Sequence, residues 1–295
     1  MSERGVSVLV VSGFLGSGKT TLVRRLLDAA QAEGVRLAVV SNEFGELGID
    51  AAILGDQSAV YVELEGGCVC CKLSDELVST LQELHERARP ERIVIETSGV
   101  ALPYETQLQL WREPIASWIA DSLAVVVVNA GQLASGRDLD GTFDDQVSSA
   151  DLLLLNQVDC VEPGVLPELE RQLAELAPDA PLLRCVRADV PSEVLFPTVP
   201  SDTAASLRPR DGVHTHTHES YESEQLAIAA GTDEDELRAR LSALGALRVK
   251  GFVITSQGLR LVQGVGPRIE LETPSREPDP AKIGRVVVIR RRSVS

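Results

Sequence analysis

A glycine-rich segment near the start of the chain constrains the fold more than any other feature. Residues 13–20 read G-F-L-G-S-G-K-T, which matches the pattern G-x-x-x-x-G-K-[ST]. A β-branched apolar run at 6–11 precedes it, and apolar residues at helical spacing follow at 22–27. A strand, a glycine-rich turn and a helix in this order form a loop whose backbone N–H groups surround phosphate. The alternative is an ordinary βα turn with a solvated lysine, and the complete pattern favours the phosphate site.

The residues of this loop have different predicted tasks. The glycines let consecutive N–H groups turn inward, and Lys19 places a positive charge near the β- and γ-phosphates. The Thr20 hydroxyl is a predicted ligand of Mg²⁺. The candidate nucleotide-binding residues of the segment are Gly13, Gly16, Ser17, Gly18, Lys19, Thr20 and Thr21.

Composition excludes several classes of protein. The formal net charge is −16 over 295 residues, so most of the surface would repel nucleic-acid phosphates. No segment approaches the roughly 18 consecutive apolar residues of a membrane span, and no signal peptide is recognisable. We therefore expect a cytoplasmic protein with neither a nucleic-acid nor a membrane partner. Five cysteines without a secretory signal indicate reduced thiols, which are metal-binding or catalytic candidates before disulfides.

The apolar pattern predicts an α/β fold with a second, smaller domain. Uninterrupted apolar strands alternate with amphipathic segments as far as residue 197, which indicates a P-loop NTPase with a mainly parallel sheet covered by helices on both faces. Residues 198–220 read as a linker. A small α+β domain is predicted at 221–295, with strands at 225–230, 247–255, 259–262 and 285–289 and a helix that begins near Asp233.

The segment E-T-S-G places an acidic residue where a buried strand ends. Glu96 there can hold Mg²⁺ directly or through water, and the Gly99 N–H can approach a γ-phosphate. The alternative is a strand-end glutamate beside a helix cap. The nearby phosphate loop favours the metal-associated role.

The segment N-Q-V-D at another strand end predicts guanine recognition. Asn156 and Asp159 have the N-K-x-D spacing. The Asp159 carboxylate can accept from both the N1–H and the exocyclic amine of guanine, which adenine cannot offer. Gln157 stands where lysine is usual; its methylenes can cover a base, but it brings no cation.

Three of the five cysteines lie within four positions. Cys68, Cys70 and Cys71 form a C-x-C-C turn, and thiolates at this spacing suit a soft or borderline cation such as Zn²⁺ or Co²⁺. A redox pair or simple buried thiols are the competing interpretations. Cys160 and Cys185 stand alone and are expected to pack as small residues.

Three of the four histidines alternate in the predicted linker. An extended chain places His214, His216 and His218 on one face, where they can capture a divalent metal. The alternative is a flexible polar linker in which the histidines have no role. His85 falls in a predicted helix and is expected at the surface.

In their order along the chain, these motifs resemble the CobW family of P-loop GTPases. The motifs are G-F-L-G-S-G-K-T-T-L at 13–22, N-E-F-G-E-L-G-I-D at 42–50, C-V-C-C at 68–71, E-T-S-G at 96–99 and N-Q-V-D at 156–159. The K-G-F segment at 250–252 is similar to a strand opening in the C-terminal domain of the family. The chain ends soon after its last predicted strand, where a terminal helix is common in the family.

The resemblance implies a metallochaperone or insertase that couples GTP binding and hydrolysis to holding a metal ion and delivering it to a client metalloprotein. The cysteine motif favours zinc, or cobalt, as that metal, and Mg²⁺ is expected with the nucleotide. It makes the 42–50 loop a switch, in which Glu43 and Asp50 position metal or the attacking water. Together with Lys19 and Glu96 these are the candidate catalytic residues. Turnover is expected to be slow without a partner, because no arginine finger or catalytic glutamine is recognisable. The sequence leaves open whether the active form is a homodimer.

Two other functions stay open at this stage. A metal-storing or metal-sensing protein would use nucleotide to regulate storage without delivering the metal. An ATP-dependent small-molecule kinase would share the phosphate loop, but it would prefer adenine, which the N-x-x-D spacing disfavours.

Overall fold

The fold is described from a computed structural model, which describes residues 5–41, 59–63, 73–136, 141–197, 221–274, 278 and 280–291. At 59–63, 73–74 and 141 only the backbone is described. The chain divides into two compact units, Met1–Pro178 with Leu182–Asp189, and Asp179–Pro181 with Val190–Ser295. The domain limits that the sequence suggests at 197 and 220 stay a prediction.

The first unit contains a parallel sheet. Among the described residues its strands are β1 (Val6–Ser12), β2 (Leu37–Ser41), β3 (Ala59–Glu63), β4 (Arg92–Glu96), β5 (Ile119–Asn129), β6 (Leu152–Asn156) and β7 (Leu182–Arg184). They lie side by side in the order β3-β2-β4-β1-β5-β6-β7, and every neighbouring pair is parallel. The carboxyl ends of these strands therefore meet at one edge, where ligands bind in sheets of this kind.

Helices cover this sheet and explain why its strands are apolar throughout. The described helices of the first unit are α1 (Lys19–Glu33), α2 (Leu73–Ala88), α3 (Pro103–Leu110), α4 (Ala130–Ser135), α5 (Gly141–Ser148) and α6 (Leu166–Leu176). Val8 and Val10 pack in a cluster with Leu81 of α2 and Leu110 of α3. Leu9, which points to the opposite face of the same strand, is equally buried. Burial on both faces confirms the predicted parallel, helix-covered sheet.

The second unit contains an antiparallel sheet and one longer helix. Its described elements are α7 (Ser192–Leu195), β8 (Tyr221–Ala227), α8 (Glu234–Ser242), β9 (Arg248–Thr255), β10 (Gly258–Val265), β11 (Arg268–Glu272) and β12 (Arg285–Arg291). The strand order is β11-β10-β9-β12-β8. Leu237 and Leu241 of α8 pack against Val249, Val253 and Val288 of the sheet. Gly251 of β9 lies close to the backbone of β12, because a Cβ on this residue would be 2.2 Å from the Arg285 carbonyl oxygen.

Three sequence expectations need correction, and one strand was missed. The strand expected at 225–230 begins earlier, at Tyr221, and β11 was not predicted. His85 is half-buried with its ring stacked on Trp118, at 4.2 Å between centroids, because the imidazole covers an aromatic face of the core. Cys160 is exposed, whereas Cys185 is buried as expected.

In the described part of the chain, no helix is both long enough and apolar enough to cross a membrane.

Candidate nucleotide site

The phosphate loop lies between the end of β1 and the first residue of α1, as predicted. Gly13, Gly16 and Gly18 have positive φ angles of 135°, 76° and 109°, a region that favours glycine. Space is equally restrictive. A Cβ on Gly13 would lie 2.2 Å from the Val127 carbonyl oxygen, and one on Gly18 would lie 2.3 Å from Nδ2 of Asn156. Backbone conformation therefore favours glycine at all three positions, and packing also requires it at Gly13 and Gly18.

Lys19 begins α1 and is almost completely buried. Its Nζ donates hydrogen bonds to the carbonyl oxygens of Gly13, at 2.9 Å, and Phe14, at 3.3 Å. The ammonium group therefore lies against the inside of the loop. The structure places it where a bound phosphate could share its charge.

Side-chain amides hold the loop from outside. Three consecutive loop carbonyls accept from them: Leu15 O from Gln132 Nε2 (3.0 Å), Gly16 O from Asn129 Nδ2 (3.2 Å) and Gln157 Nε2 (3.1 Å), and Ser17 O from Asn156 Nδ2 (2.8 Å). We call these four side chains the amide clamp. The Ser17 N–H donates to the Phe14 carbonyl at 3.1 Å, so the loop N–H groups that can turn towards an anion are those of Gly16 and Gly18, which adjoin the held carbonyls of Leu15 and Ser17.

Asn156 ties together three segments of the first unit. Only 1% of its surface is exposed, and its Oδ1 accepts from the Ala188 N–H at 2.8 Å and from Sγ of Cys185 at 3.6 Å. Both ends of the amide are thus occupied by protein groups. Asn156 therefore joins the phosphate loop, the end of β6 and the turn after β7. The sequence did not predict the contact with this turn, because no motif marks it.

Gln157 and Asp159 are close in sequence but differ in their surroundings. Gln157 has a positive φ of 59°, and its Oε1 accepts from Asn129 Nδ2 at 2.9 Å. Its amide therefore contacts the phosphate loop and Asn129, and the coverage of a base by its methylenes stays a prediction. Asp159 is exposed in a short helical turn after β6.

The two predicted Mg²⁺-associated residues are in direct contact. Oγ1 of Thr20 donates to Oε1 of Glu96 at 2.8 Å, and Oγ of Ser41 donates to Oε2 at 3.4 Å. Sheet register produces this contact, because Glu96 pairs with Val11 of β1 on one side and with Ser41 of β2 on the other. A hydroxyl and a buried carboxylate are the hard oxygen donors that suit Mg²⁺, so the residues present fit that ion.

The segment after Glu96 is fixed by two neighbouring elements. The Thr97 N–H donates to the Val11 carbonyl at 3.0 Å. Farther along, Nε2 of Gln146, on α5, donates to the carbonyls of Gly99, at 2.9 Å, and Ala101, at 3.0 Å. Sequence reasoning did not find Gln146, because one glutamine in a short polar helix carries no motif.

The other predicted site residues lie outside the described residues. They are Glu43, Asp50, Cys68, Cys70, Cys71, His214, His216 and His218. Within the described residues, no group of three histidine, cysteine, aspartate or glutamate side chains is arranged to hold a metal ion. The metal-binding and switch roles of these residues stay predictions.

Comparisons with known proteins agree with this geometry. The family model for the CobW/HypB/UreG nucleotide-binding domain matches residues 7–184. The zinc chaperone CobW of Pseudomonas aeruginosa is 34% identical over 327 residues, which cover 96% of this chain and 86% of that protein. The zinc chaperone YeiR of Escherichia coli is 28% identical, over 93% of this chain and 90% of that protein.

A solved structure supports the fold independently. The Zn(II)-bound YjiA GTPase of Escherichia coli superimposes with a TM-score of 0.52 at 23% sequence identity, over 97% of this chain and 93% of that chain. The predicted family resemblance is confirmed by the family model, which covers residues 7–184 and therefore more than half of the chain. This chain belongs to the CobW/HypB/UreG family of nucleotide-binding proteins.

Proposed function

We propose that this protein is a GTPase that binds zinc and uses its nucleotide state to control when zinc is held and when it is delivered to a client protein. One observation carries the nucleotide half of the proposal: Lys19, Thr20 and Glu96 converge at the carboxyl end of the parallel sheet. The zinc half is supported by relatives named zinc chaperone CobW, YeiR and YjiA, and zinc-regulated GTPase metalloprotein activator.

The phosphate loop is preorganised for an anion. Three positive-φ glycines, the amide clamp and Lys19 hold the backbone of the loop in one conformation. A binding loop that is already held in its bound shape loses less conformational freedom when the ligand binds. The N-terminus of α1 adds a positive dipole to the same place.

Thr20 and Glu96 would hold Mg²⁺. When bound, the ion supplies positive charge that neutralises the β- and γ-phosphates during phosphoryl transfer to water. The protein contributes Lys19 on the same phosphates and the Glu96 carboxylate, which is buried and already oriented by Thr20 and Ser41. We assign orientation of the attacking water to Glu43 or Asp50, in the 42–50 segment.

Asp159 is the proposed determinant of guanine. Its carboxylate is exposed near the phosphate loop, since the preceding residues Asn156 and Gln157 both bond to that loop. This placement supports GTP over ATP, because guanine alone offers two adjacent donors on one edge. An ATP-dependent kinase is therefore the weaker candidate.

Zinc is the proposed cargo, with Cys68, Cys70 and Cys71 as its ligands. The segment that carries them follows β3, and the 42–50 segment follows β2. Ser41, the last residue of β2, pairs with both Glu63 of β3 and Glu96 of β4. Both segments therefore leave the same edge of the sheet, beside the proposed Mg²⁺ ligands, and this supports coupling between nucleotide and zinc.

Coupling has a thermodynamic consequence. If GTP raises the affinity for zinc by some factor, zinc must raise the affinity for GTP by the same factor. Hydrolysis to GDP would then weaken the thiolate site and release zinc. His214, His216 and His218 are proposed to capture the metal weakly before transfer, and cobalt is the alternative cargo.

The test is a titration of the reduced protein with GTP and with GDP, in the presence of Mg²⁺ and with or without Zn²⁺, repeated with Co²⁺ and with ATP. Cys70→Ser removes one proposed ligand, and Cys160→Ser is the matched control because Cys160 is an exposed thiol outside the motif. We expect C70S to lose both tight zinc binding and the effect of zinc on GTP affinity, and C160S to keep both. Equal GTP affinities with and without zinc in the wild type would refute the coupling.

Delivery needs a separate assay. In a single-turnover experiment, zinc-loaded protein is mixed with a zinc-free client, and transfer is followed with GTP or with a nonhydrolysable analogue. Transfer that requires hydrolysis supports a chaperone. Zinc that stays bound in both conditions favours the metal-storing or metal-sensing alternative.

A further inference from the structure

Gln146 of α5 forms an unusual link inside the first unit. It is completely buried, yet both hydrogen bonds of its amide nitrogen go to carbonyls of the segment that follows Glu96, those of Gly99 and Ala101. Carbonyl oxygens only accept hydrogen bonds. The NH₂ end of the amide must therefore face that segment, and the orientation of the side chain is fixed by chemistry.

The oxygen atom of the same amide lowers the stability of the folded protein. Oε1 of Gln146 is buried and, among the described residues, has no hydrogen-bond partner. Gln146 lines a small cavity together with Gln132 and with Gly13 and Phe14 of the phosphate loop. A buried polar atom without a partner is unfavourable, and a methionine of similar size would avoid it. Stability alone does not explain a glutamine at this position.

Helix α5 also contacts the phosphate loop. Phe143, one turn before Gln146, packs its ring on Phe14 at 5.7 Å between centroids. Ser12, the last residue of β1, donates to the same Ala101 carbonyl as Gln146, at 3.0 Å. The segment that carries Gly99 is thus held in register with the phosphate loop from two sides.

We propose that Gln146 is a positioning residue that sets the preference for GTP over GDP. This inference rests on the proposed function, in which the Gly99 N–H reaches the γ-phosphate. GDP contacts the phosphate loop but has no γ-phosphate, so it does not depend on where Gly99 lies. Loss of the two Gln146 donors frees the Gly99 carbonyl, which is half-exposed and can bond to water, and the segment is no longer preorganised for GTP.

The test compares Gln146→Met with two other glutamine variants. Gln132→Met removes a donor to the phosphate loop itself, and Gln172→Met changes a glutamine of α6 that bonds to Glu168. For Q146M we expect GTP affinity to fall about tenfold while GDP affinity changes less than about twofold, as the loss of one or two net hydrogen bonds predicts. Q132M should weaken GTP and GDP alike, and Q172M should weaken neither.

Stability separates positioning from a structural role. Q146M removes the two hydrogen bonds of Nε2 as well as a buried oxygen that has no partner among the described residues. The two changes oppose each other, so the thermal midpoint should lie within a few degrees of that of the wild type. The proposal is overturned if the ratio of GTP affinity to GDP affinity in Q146M equals the wild-type ratio, whether or not both affinities fall. Tighter binding of GTP would overturn it as well. If Q146M does not fold, Ser12→Ala decides, because it removes the other donor to Ala101 and should lower the same ratio about threefold.

Wild-type measurements keep the two ideas apart. A wild-type protein that fails to bind or hydrolyse GTP refutes the proposed function. A wild-type GTPase whose Q146M variant keeps the full preference for GTP refutes only the role of Gln146.

Discussion

Replacing Asn156 by alanine tests how the phosphate loop is held. The change removes the donor to the Ser17 carbonyl and the acceptor of the Ala188 N–H, bonds of 2.8 Å each. Ser17 and Ala188 are both fully buried, so water does not readily replace the amide. Each buried group left without a partner costs about 1–3 kcal/mol, so the free energy of unfolding should fall by about 2–6 kcal/mol.

This loss is large against the usual total of about 5–15 kcal/mol for a protein. Urea unfolding of the nucleotide-free protein measures it. Both tryptophans of the chain, Trp111 and Trp118, lie in the first unit, so their fluorescence reports the unfolding of that unit. GTP and GDP affinities should fall together, because the clamp positions the loop that both nucleotides use.

Asn129→Ala is the matched control. Asn129 also belongs to the amide clamp and caps α4 through the N–H groups of Gly131 and Gln132, but its side chain is half-buried and water can reach it. We expect a loss of about 1 kcal/mol, typical of a removed N-cap. The reasoning fails if N156A loses less than about 1 kcal/mol, or no more than N129A.

Three further changes give clear expectations. Gly18→Ala places a Cβ 2.3 Å from Nδ2 of Asn156 and puts alanine at a φ of 109°. The affinity for GDP, measured by calorimetry, should therefore fall roughly ten- to a hundredfold. An unchanged affinity would show that the loop can relax. Glu234→Gln removes the negative charge beside Arg260, whose Nε lies 2.7 Å from Oε1 of Glu234. The free energy of unfolding, measured by urea titration, should fall by about 2 kcal/mol. A change below about 0.5 kcal/mol would contradict a structural ion pair. Partial burial raises the pKa of Glu272, so its ionisation opposes folding and stability falls as the pH rises through that pKa. Glu272→Gln should therefore add a few tenths of a kcal/mol at neutral pH and nothing at about pH 4, and a gain of equal size at both would refute the assignment.

The phosphate loop could be predicted because its information is local. Glycines, a lysine and a threonine at fixed spacing are needed wherever a βα turn must present N–H groups to phosphate. The parallel sheet was equally readable, since strands buried on both faces must be apolar throughout. Glu96 and Thr20 were assigned to one site from sequence alone, and the structure places their oxygen atoms 2.8 Å apart.

The second unit was harder to predict because two of its described strands, β8 and β11, lie at the edges of the sheet. β8 reads Y-E-S-E-Q-L-A and is exposed along most of its length, so its sequence lacks the apolar signal of a strand. Among the described strands, it pairs with β12 alone. Among the described strands, β11 pairs with β10 alone, and three of its five residues are charged (R-I-E-L-E), which leaves little apolar signal.

By itself, the sequence determined the fold class, the loop that holds phosphate and the strand ends that carry its partners, because each depends on residues that are neighbours along the chain. Tertiary structure alone decided which side chains complete that loop. Asn129, Asn156 and Gln146 come from three different segments, and the sheet and its helices bring them to the loops around the site. The fold brings these amides to the loop carbonyls, and for Asn156 and Gln146 burial also excludes water as an alternative partner. No spacing along the chain encodes either condition.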